Sequence, residues 1–182
     1  MAEHVCQWWL GYALASPLRR WFQDPRKILA PFVKEGMTAM DVGCGMGFFT
    51  LEMARLVGEE GRVIAVDLQE KMLAGLRKRA MKQGLDDRIQ TRLCGPDHLG
   101  VLDMVDFALS FAVAHEVPDT GSFFRQIASV LKPGGSLLLV EPKFHVSEEQ
   151  FRALVGDAVA AGLKLTGDTG LGVGRNALFK AD

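Results

Sequence analysis

Two hydrophobic rhythms alternate along the chain. Short apolar runs at Thr38–Val42, 63–66, Ile89–Leu93, 105–110 and 137–140 read as buried strands. Between them, apolar residues recur every three or four positions over 25–33, 48–57, 69–83 and 120–131, the spacing of a helix with one buried face. In the third helix Met72, Leu73, Leu76 and Ala80 fall on the inward face, and Gly84 ends it. In the fourth the inward positions are Phe123, Phe124, Ile127 and Val130. Ser147-Glu148-Glu149-Gln150 fits a capping box, opening a last helix with Phe151, Leu154, Val155, Ala158 and Val159 inward and Gly162 at its end. Residues 163–167 and 176–180 read as two final strands around a Gly-rich loop. Strands alternating with helices predict a doubly wound, mainly parallel α/β sheet.

One turn interrupts this rhythm in an informative way. Asp41-Val42-Gly43-Cys44-Gly45-Met46-Gly47 joins the first strand to the next helix. Three alternating glycines allow positive φ and close backbone approach, which a turn that holds a nucleotide-like cofactor requires. A bare tight turn needs only one. The dinucleotide fingerprint G-x-G-x-x-G would place its third glycine at position 48, where Phe48 is far too large for helix–strand packing. About 20 residues on, the second strand ends at Asp67. A carboxylate there can accept both ribose hydroxyls and repels a 2′-phosphate, which favours an adenosine ribose over NADP. It can equally cap the following helix.

The string Asp41 to Gly47 resembles motif I of the class I S-adenosylmethionine (SAM)-dependent methyltransferases, D/E-x-G-x-G-x-G. Two further places carry the resemblance. Lys132-Pro133-Gly134-Gly135 is similar to the turn before that family's fifth strand, and the strand that starts at Val105 is similar to its fourth. The likeness runs from about Asp24 to Leu139 and has a small-molecule or quinone-type flavour. It implies a seven-stranded Rossmann-like sheet with an antiparallel final pair, SAM as cofactor, and a small-molecule acceptor. It also implies a cofactor site made of Asp41, Gly43, Cys44, Gly45, Gly47, Asp67, Leu68, Asp97 and Ser110. Asp97 departs from the family pattern: Pro96 holds the usual place of the adenine-contacting residue, and Asp97 stands one position later.

In open α/β sheets ligands bind beyond the carboxyl ends of the strands. His115 follows the fourth strand and His145 the fifth, so both are candidates to take a proton from the acceptor, with Glu116 and Glu141 to orient them. Their spacing fits no known metal-ligand motif, and no metal is expected. A satisfied loop histidine is the plainer account of each. An inactive SAM-binding sensor or partner domain would need the turn but no acceptor pocket. An NAD-dependent oxidoreductase would need the missing third glycine, and no Tyr-x-x-x-Lys pair is present.

Composition narrows the partners. The 182 residues carry 21 basic and 22 acidic side chains, a net charge of −1, and are 48% hydrophobic. That balance gives no long-range attraction to nucleic acid or to an anionic membrane. The one basic cluster, Lys71, Arg77, Lys78, Arg79 and Lys82, reads as the solvated face of a helix. Three cysteines, Cys6, Cys44 and Cys94, show no C-x-x-C spacing and suit a reducing cytoplasm. Cys44 reads as a small filler of the turn. Residues 1–24 hold all three Trp and the single Tyr; this aromatic helical segment either covers the acceptor as a lid or packs on the 25–182 domain. Its apolar run is too short to span a bilayer, reads as no signal peptide, and offers a surface for a homodimer.

Overall fold

The structure, a computed structural model, describes residues 23–167 and 169–182; the aromatic segment at 1–22, with Cys6, lies outside the described residues. Seven strands, β1 (Thr38–Val42), β2 (Arg62–Asp67), β3 (Ile89–Leu93), β4 (Val105–Phe111), β5 (Leu131–Glu141), β6 (Lys164–Gly167) and β7 (Arg175–Lys180), form one sheet in the order β3-β2-β1-β4-β5-β7-β6. All pairs from β3 to β5 are parallel, and β7 runs antiparallel to both neighbours. The expected mainly parallel seven-stranded sheet is therefore what forms.

Among the described residues five α-helices, α1 (Pro25–Leu29), α2 (Thr50–Leu56), α3 (Glu70–Met81), α4 (Thr120–Val130) and α5 (Glu148–Ala160), cover its two faces. Ile28, Leu29, Leu51, Met53, Leu73, Leu76 and Ala80 pack with Ala39, Ala65, Phe107 and Leu138 on one side. Phe123, Phe124, Ile127, Leu154 and Ala158 pack with Met40, Ile64, Ala108 and Leu139 on the other. Both faces of the central strands are dry, so these strands read as continuous apolar runs. The predicted inward faces of α3 and α4 are the buried ones.

Three local differences have physical causes. Helix α2 starts at Thr50, two residues late, because the left-handed glycines of the turn carry the chain through to Phe49. Strand β5 starts at Leu131 and includes the Lys-Pro-Gly-Gly segment, where its register against β4 shifts between Val105 and Phe107. In α5 only Leu154 and Ala158 are buried; Val159 is exposed, because the helix presents a narrow stripe to the sheet. The capping box forms as expected: Ser147 Oγ accepts from Gln150 N at 3.1 Å and Gln150 Oε1 from Ser147 N at 2.8 Å. Ser147→Ala should lower unfolding free energy by about 1 kcal/mol in a denaturant titration.

The chain runs outward from β1 through β2 to β3, then returns across β1 to β4. The switch point therefore lies between β1 and β4, where an open α/β sheet leaves a crevice at its carboxyl edge.

Candidate active site

Buried polar side chains mark that edge. Six polar or charged residues are buried among the described residues, and four of them, Asp41, Asp67, Ser110 and Glu141, occupy the last or next-to-last positions of β1, β2, β4 and β5. Burying such groups is costly without partners, so their concentration at one edge needs a local reason.

The Gly turn begins there. Gly43 N and Cys44 N both donate to Val66 O, at 2.8 and 3.0 Å, which clips the turn to the end of β2. Gly43, Gly45 and Gly47 all have positive φ, at 69°, 54° and 83°. Their surroundings differ. A Cβ on Gly43 would collide with the Val113 side chain, and one on Gly47 with Leu76. At Gly45 no atom of the described residues lies within 4 Å of a Cβ position. Gly43 and Gly47 thus serve internal packing, and Gly45 alone opens toward the space a cofactor would enter. Asp41 lies behind the turn: its Oδ2 accepts from Thr50 Oγ1 at 2.5 Å in the core. Arg79, read from sequence as part of a solvated face, instead donates from Nη1 to Met46 O at 2.5 Å and braces the turn from α3.

Asp67 joins three pieces. Its Oδ2 accepts from Gly45 N at 2.8 Å and its Oδ1 from Gln69 N at 2.9 Å. The bond to Gln69 N places the carboxylate at the start of α3, where Gln69 is the N-cap residue, and the bond to Gly45 N is a contact with the turn that the sequence did not announce. Burial pushes its pKa above the ordinary 3.8, opposed by the backbone donors at Gln69 and Gly45. Leu68 beside it is exposed.

The two described thiols, Cys44 and Cys94, are held in the protonated form. Desolvation, then the charges of Asp41 and Asp67, push the Cys44 thiol well above its usual range, and burial first raises Cys94 to about 11. Cys44 fits the filler role. After β3, Asp97 is exposed, and its Oδ1 lies 3.0 Å from His98 Nδ1, which holds the Asp97 carboxyl below the usual range. Gln126 of α4 pins this loop, donating to Asp97 O at 2.9 Å and accepting from Leu99 N at 2.9 Å. Ser110 is fully buried, and its Oγ lacks a hydrogen-bond partner among the described residues.

The two histidines come together. The rings of His115 and His145 are 6.2 Å apart, edge to face. His115 Nδ1 lies 2.6 Å from Glu141 Oε2, and its Nε2 lies 4.0 Å from Glu116 Oε1. The hydrogen bond to Glu141 raises the His115 pKa above 6.5, against burial that lowers it. The stability this contributes is fully present below pH 6.5 and is lost as pH rises through the raised folded value. The loop bearing His115 touches the Gly turn through Val113, and Phe111 lies 4.4 Å from Phe49. Ala112 between them holds φ 58°, the single non-Gly positive φ among the described residues, and such strain concentrates at functional sites. No three His, Cys, Asp or Glu side chains among the described residues gather into a metal cluster.

The comparisons with known proteins agree with this geometry. A family model described as a methyltransferase domain matches residues 33–167. A demethylmenaquinone methyltransferase of Lactobacillus johnsonii is 34% identical over 60% of this chain and 45% of its own length. A ubiquinone biosynthesis O-methyltransferase of Caulobacter vibrioides is 35% identical over 60% of this chain and 42% of its own. The chain thus spans about half the length of the curated relatives it matches. A SAM-dependent methyltransferase from Aquifex aeolicus superposes with a TM-score of 0.86 at 26% identity, covering 98% of this chain and all of that one. The sheet order, the glycine turn clipped to β2 and the matched model lead to one conclusion: the chain belongs to the methyltransferase-domain family and has the fold of the SAM-dependent enzymes.

Proposed function

We propose that this protein transfers the methyl group of SAM to a small aromatic acceptor of the quinone type. The observation that carries this reading is the row of buried polar residues at the carboxyl ends of β1, β2, β4 and β5, around Gly45, the glycine of the turn with open space beside it among the described residues. SAM fits the residues present. Gly45 leaves room for it, and Asp67 offers carboxylate lone pairs to ribose hydroxyls while keeping its backbone bonds. Gly43, Gly47, Cys44 and Asp41 shape and brace the turn, Leu68 supplies an apolar neighbour, and Ser110 brings a buried hydroxyl without a partner among the described residues. Asp97 takes the adenine side, as its place after β3 implies. When bound, SAM supplies an electrophilic methyl; the protein's task is to orient the acceptor and manage its proton.

The His115–His145 pair faces the acceptor from the ends of β4 and β5. Names of the quinone methyltransferase relatives support the acceptor class. No helix among the described residues is long and apolar enough to cross a membrane, and the near-zero net charge favours a small uncharged acceptor over nucleic acid. We infer a cytoplasmic enzyme, with 1–24 as its lid or as a surface for a homodimer.

Incubation with methyl-labelled SAM and a set of soluble hydroquinones tests this reading. Label in an extractable small product, together with S-adenosylhomocysteine (SAH), is the expected result. SAM binding with no transfer to any small acceptor would instead favour a sensor or partner domain.

A further inference from the structure

Glu141 is fully buried, yet only one of its carboxylate oxygens is satisfied. Oε2 takes His115 Nδ1, while Oε1 has no hydrogen-bond partner among the described residues. Ser110 Oγ, near the end of adjacent β4, is equally buried and equally unpartnered. Native proteins satisfy most buried polar atoms, so two orphans at one edge signal chemistry and not packing. A carboxylate can only accept, so Nδ1 of His115 must carry the hydrogen of the 2.6 Å bond. That leaves Nε2 of the neutral ring with a lone pair, on a side chain that is 22% exposed.

Resting on the methyl-transfer reading above, we propose that Glu141 and His115 form a carboxylate–imidazole dyad that takes the proton of an aromatic hydroxyl, a phenol or hydroquinol, as that oxygen is methylated. The acceptor O–H bond breaks and its proton goes to His115 Nε2. The oxygen lone pair forms the new O–CH3 bond, and the electrons of the broken C–S bond stay on sulfur, neutralising the sulfonium. The imidazolium then returns its proton to water. Glu141 touches neither substrate nor cofactor and acts as a positioning residue: it fixes the ring's tautomer and stabilises the imidazolium.

Amine and thiol acceptors need this arrangement less. A neutral amine already presents its lone pair and sheds its proton after transfer. A thiol ionises at about pH 8.5 without help, whereas a phenol titrates near 10 and gains most from a base. Methylation of a ring carbon would draw on the same base, since loss of the hydroxyl proton also activates the ortho and para carbons, so the identity of the product separates the oxygen from the carbon acceptor. An aromatic partner also fits the surroundings: Phe111 ends β4 against Phe49, and Phe144, next to His145 in sequence, is fully exposed. The ionisable groups that face His115 among the described residues are Glu141 from β5, Glu116 from its own turn, and His145 from the loop after β5. Arg175, opposite Glu141 on β7, donates its Nε to Val146 O at 3.0 Å.

The test uses the full chain with SAM and three probe sets: methyl-substituted hydroquinones, benzylic amines and aryl thiols. Rates are followed from pH 5.5 to 9, products are identified by mass spectrometry, and the histidines are observed by 15N NMR. The expected product is the aryl methyl ether. kcat/KM should rise with pH along an acid limb above 6.5. His115→Asn should lower kcat by about 10²- to 10⁴-fold with SAM affinity kept. Glu141→Gln should shift the acid limb and the His115 NMR titration to lower pH together, a change that a merely structural role would not produce. Glu141→Asp, which keeps the charge if the Gln variant fails to fold, should hold the limb near its wild-type place. N-, S- or C-methylated product only, or an acid limb indifferent to Glu141→Gln, overturns the proposal. A wild-type protein that does not bind SAM overturns the methyl-transfer reading beneath it, and so separates the two failures.

Discussion

Asp67→Ala should weaken binding of SAM and SAH by about 1.5–3 kcal/mol, roughly 10- to 150-fold, since hydrogen bonds to a charged group are worth that much. The loss has two sources. Ribose hydroxyls lose their acceptor, and so does Gly45 N, whose 2.8 Å bond fixes the glycine of the turn that opens toward the ligand. Asp67→Asn should not rescue. One oxygen of the carboxylate serves Gly45 N and the other Gln69 N, so the amide nitrogen of Asn would face a donor. The native carboxyl adds a pH dependence. Burial raises its pKa above 3.8, so ionising it in the free protein costs folding stability as pH rises from 3.8 through the folded value. Donating ribose hydroxyls favour the ionised form, so cofactor affinity should fall as pH drops through that same value, and the Ala variant should lose this dependence. Calorimetry at several pH values reads both effects.

The second large effect separates two glycines that look alike in sequence. Ala in a left-handed conformation costs about 1–2 kcal/mol, which applies at φ 69° for Gly43 and φ 54° for Gly45. Gly43→Ala also drives a methyl into Val113, adding about 1–3 kcal/mol of overpacking. Gly43→Ala should therefore be the more destabilising variant in denaturant titrations, and Val113→Ala should restore part of the loss. Gly45→Ala meets no neighbour among the described residues. Its stability should fall by no more than the backbone cost, while its SAM affinity falls out of proportion because the methyl occupies the cofactor's approach. Equal destabilisation by the two, with equal affinities, would refute this division of roles.

That division was not legible in the sequence, and the reason is physical. The D-x-G-x-G-x-G string shows that positive φ is needed at three places, but the reason at Gly43 is Val113, seventy positions along the chain. Local periodicity carried the fold well. Strands β1 and β3 lie where the apolar runs put them, and the four inward residues of α3 and of α4 are the buried ones. Reading weakened where elements meet through space. Arg79 looks like one more solvated cation until α3 is packed beside the turn. Gln126 carries no signal at all, yet it fixes the loop of Asp97. His115 and Glu141 are 26 residues apart and meet only because β4 and β5 are parallel neighbours. Charge and residue type nominated both; the adjacent strands, not the pattern, select Glu141 over Glu116 as the partner of Nδ1. In β5 the Pro and Gly residues look like a turn, whereas the strand absorbs them in a bulge.

The account stands on one pairing, that of the open turn at Gly45 and the Asp67 carboxylate with an adenosine-bearing sulfonium. Calorimetric titration of the wild-type protein with SAM, SAH and NAD tests it most directly. The account predicts saturable binding of SAM and of SAH, each displacing the other, and none of NAD. Binding of NAD with no binding of SAM would contradict it and would make the turn an atypical dinucleotide site.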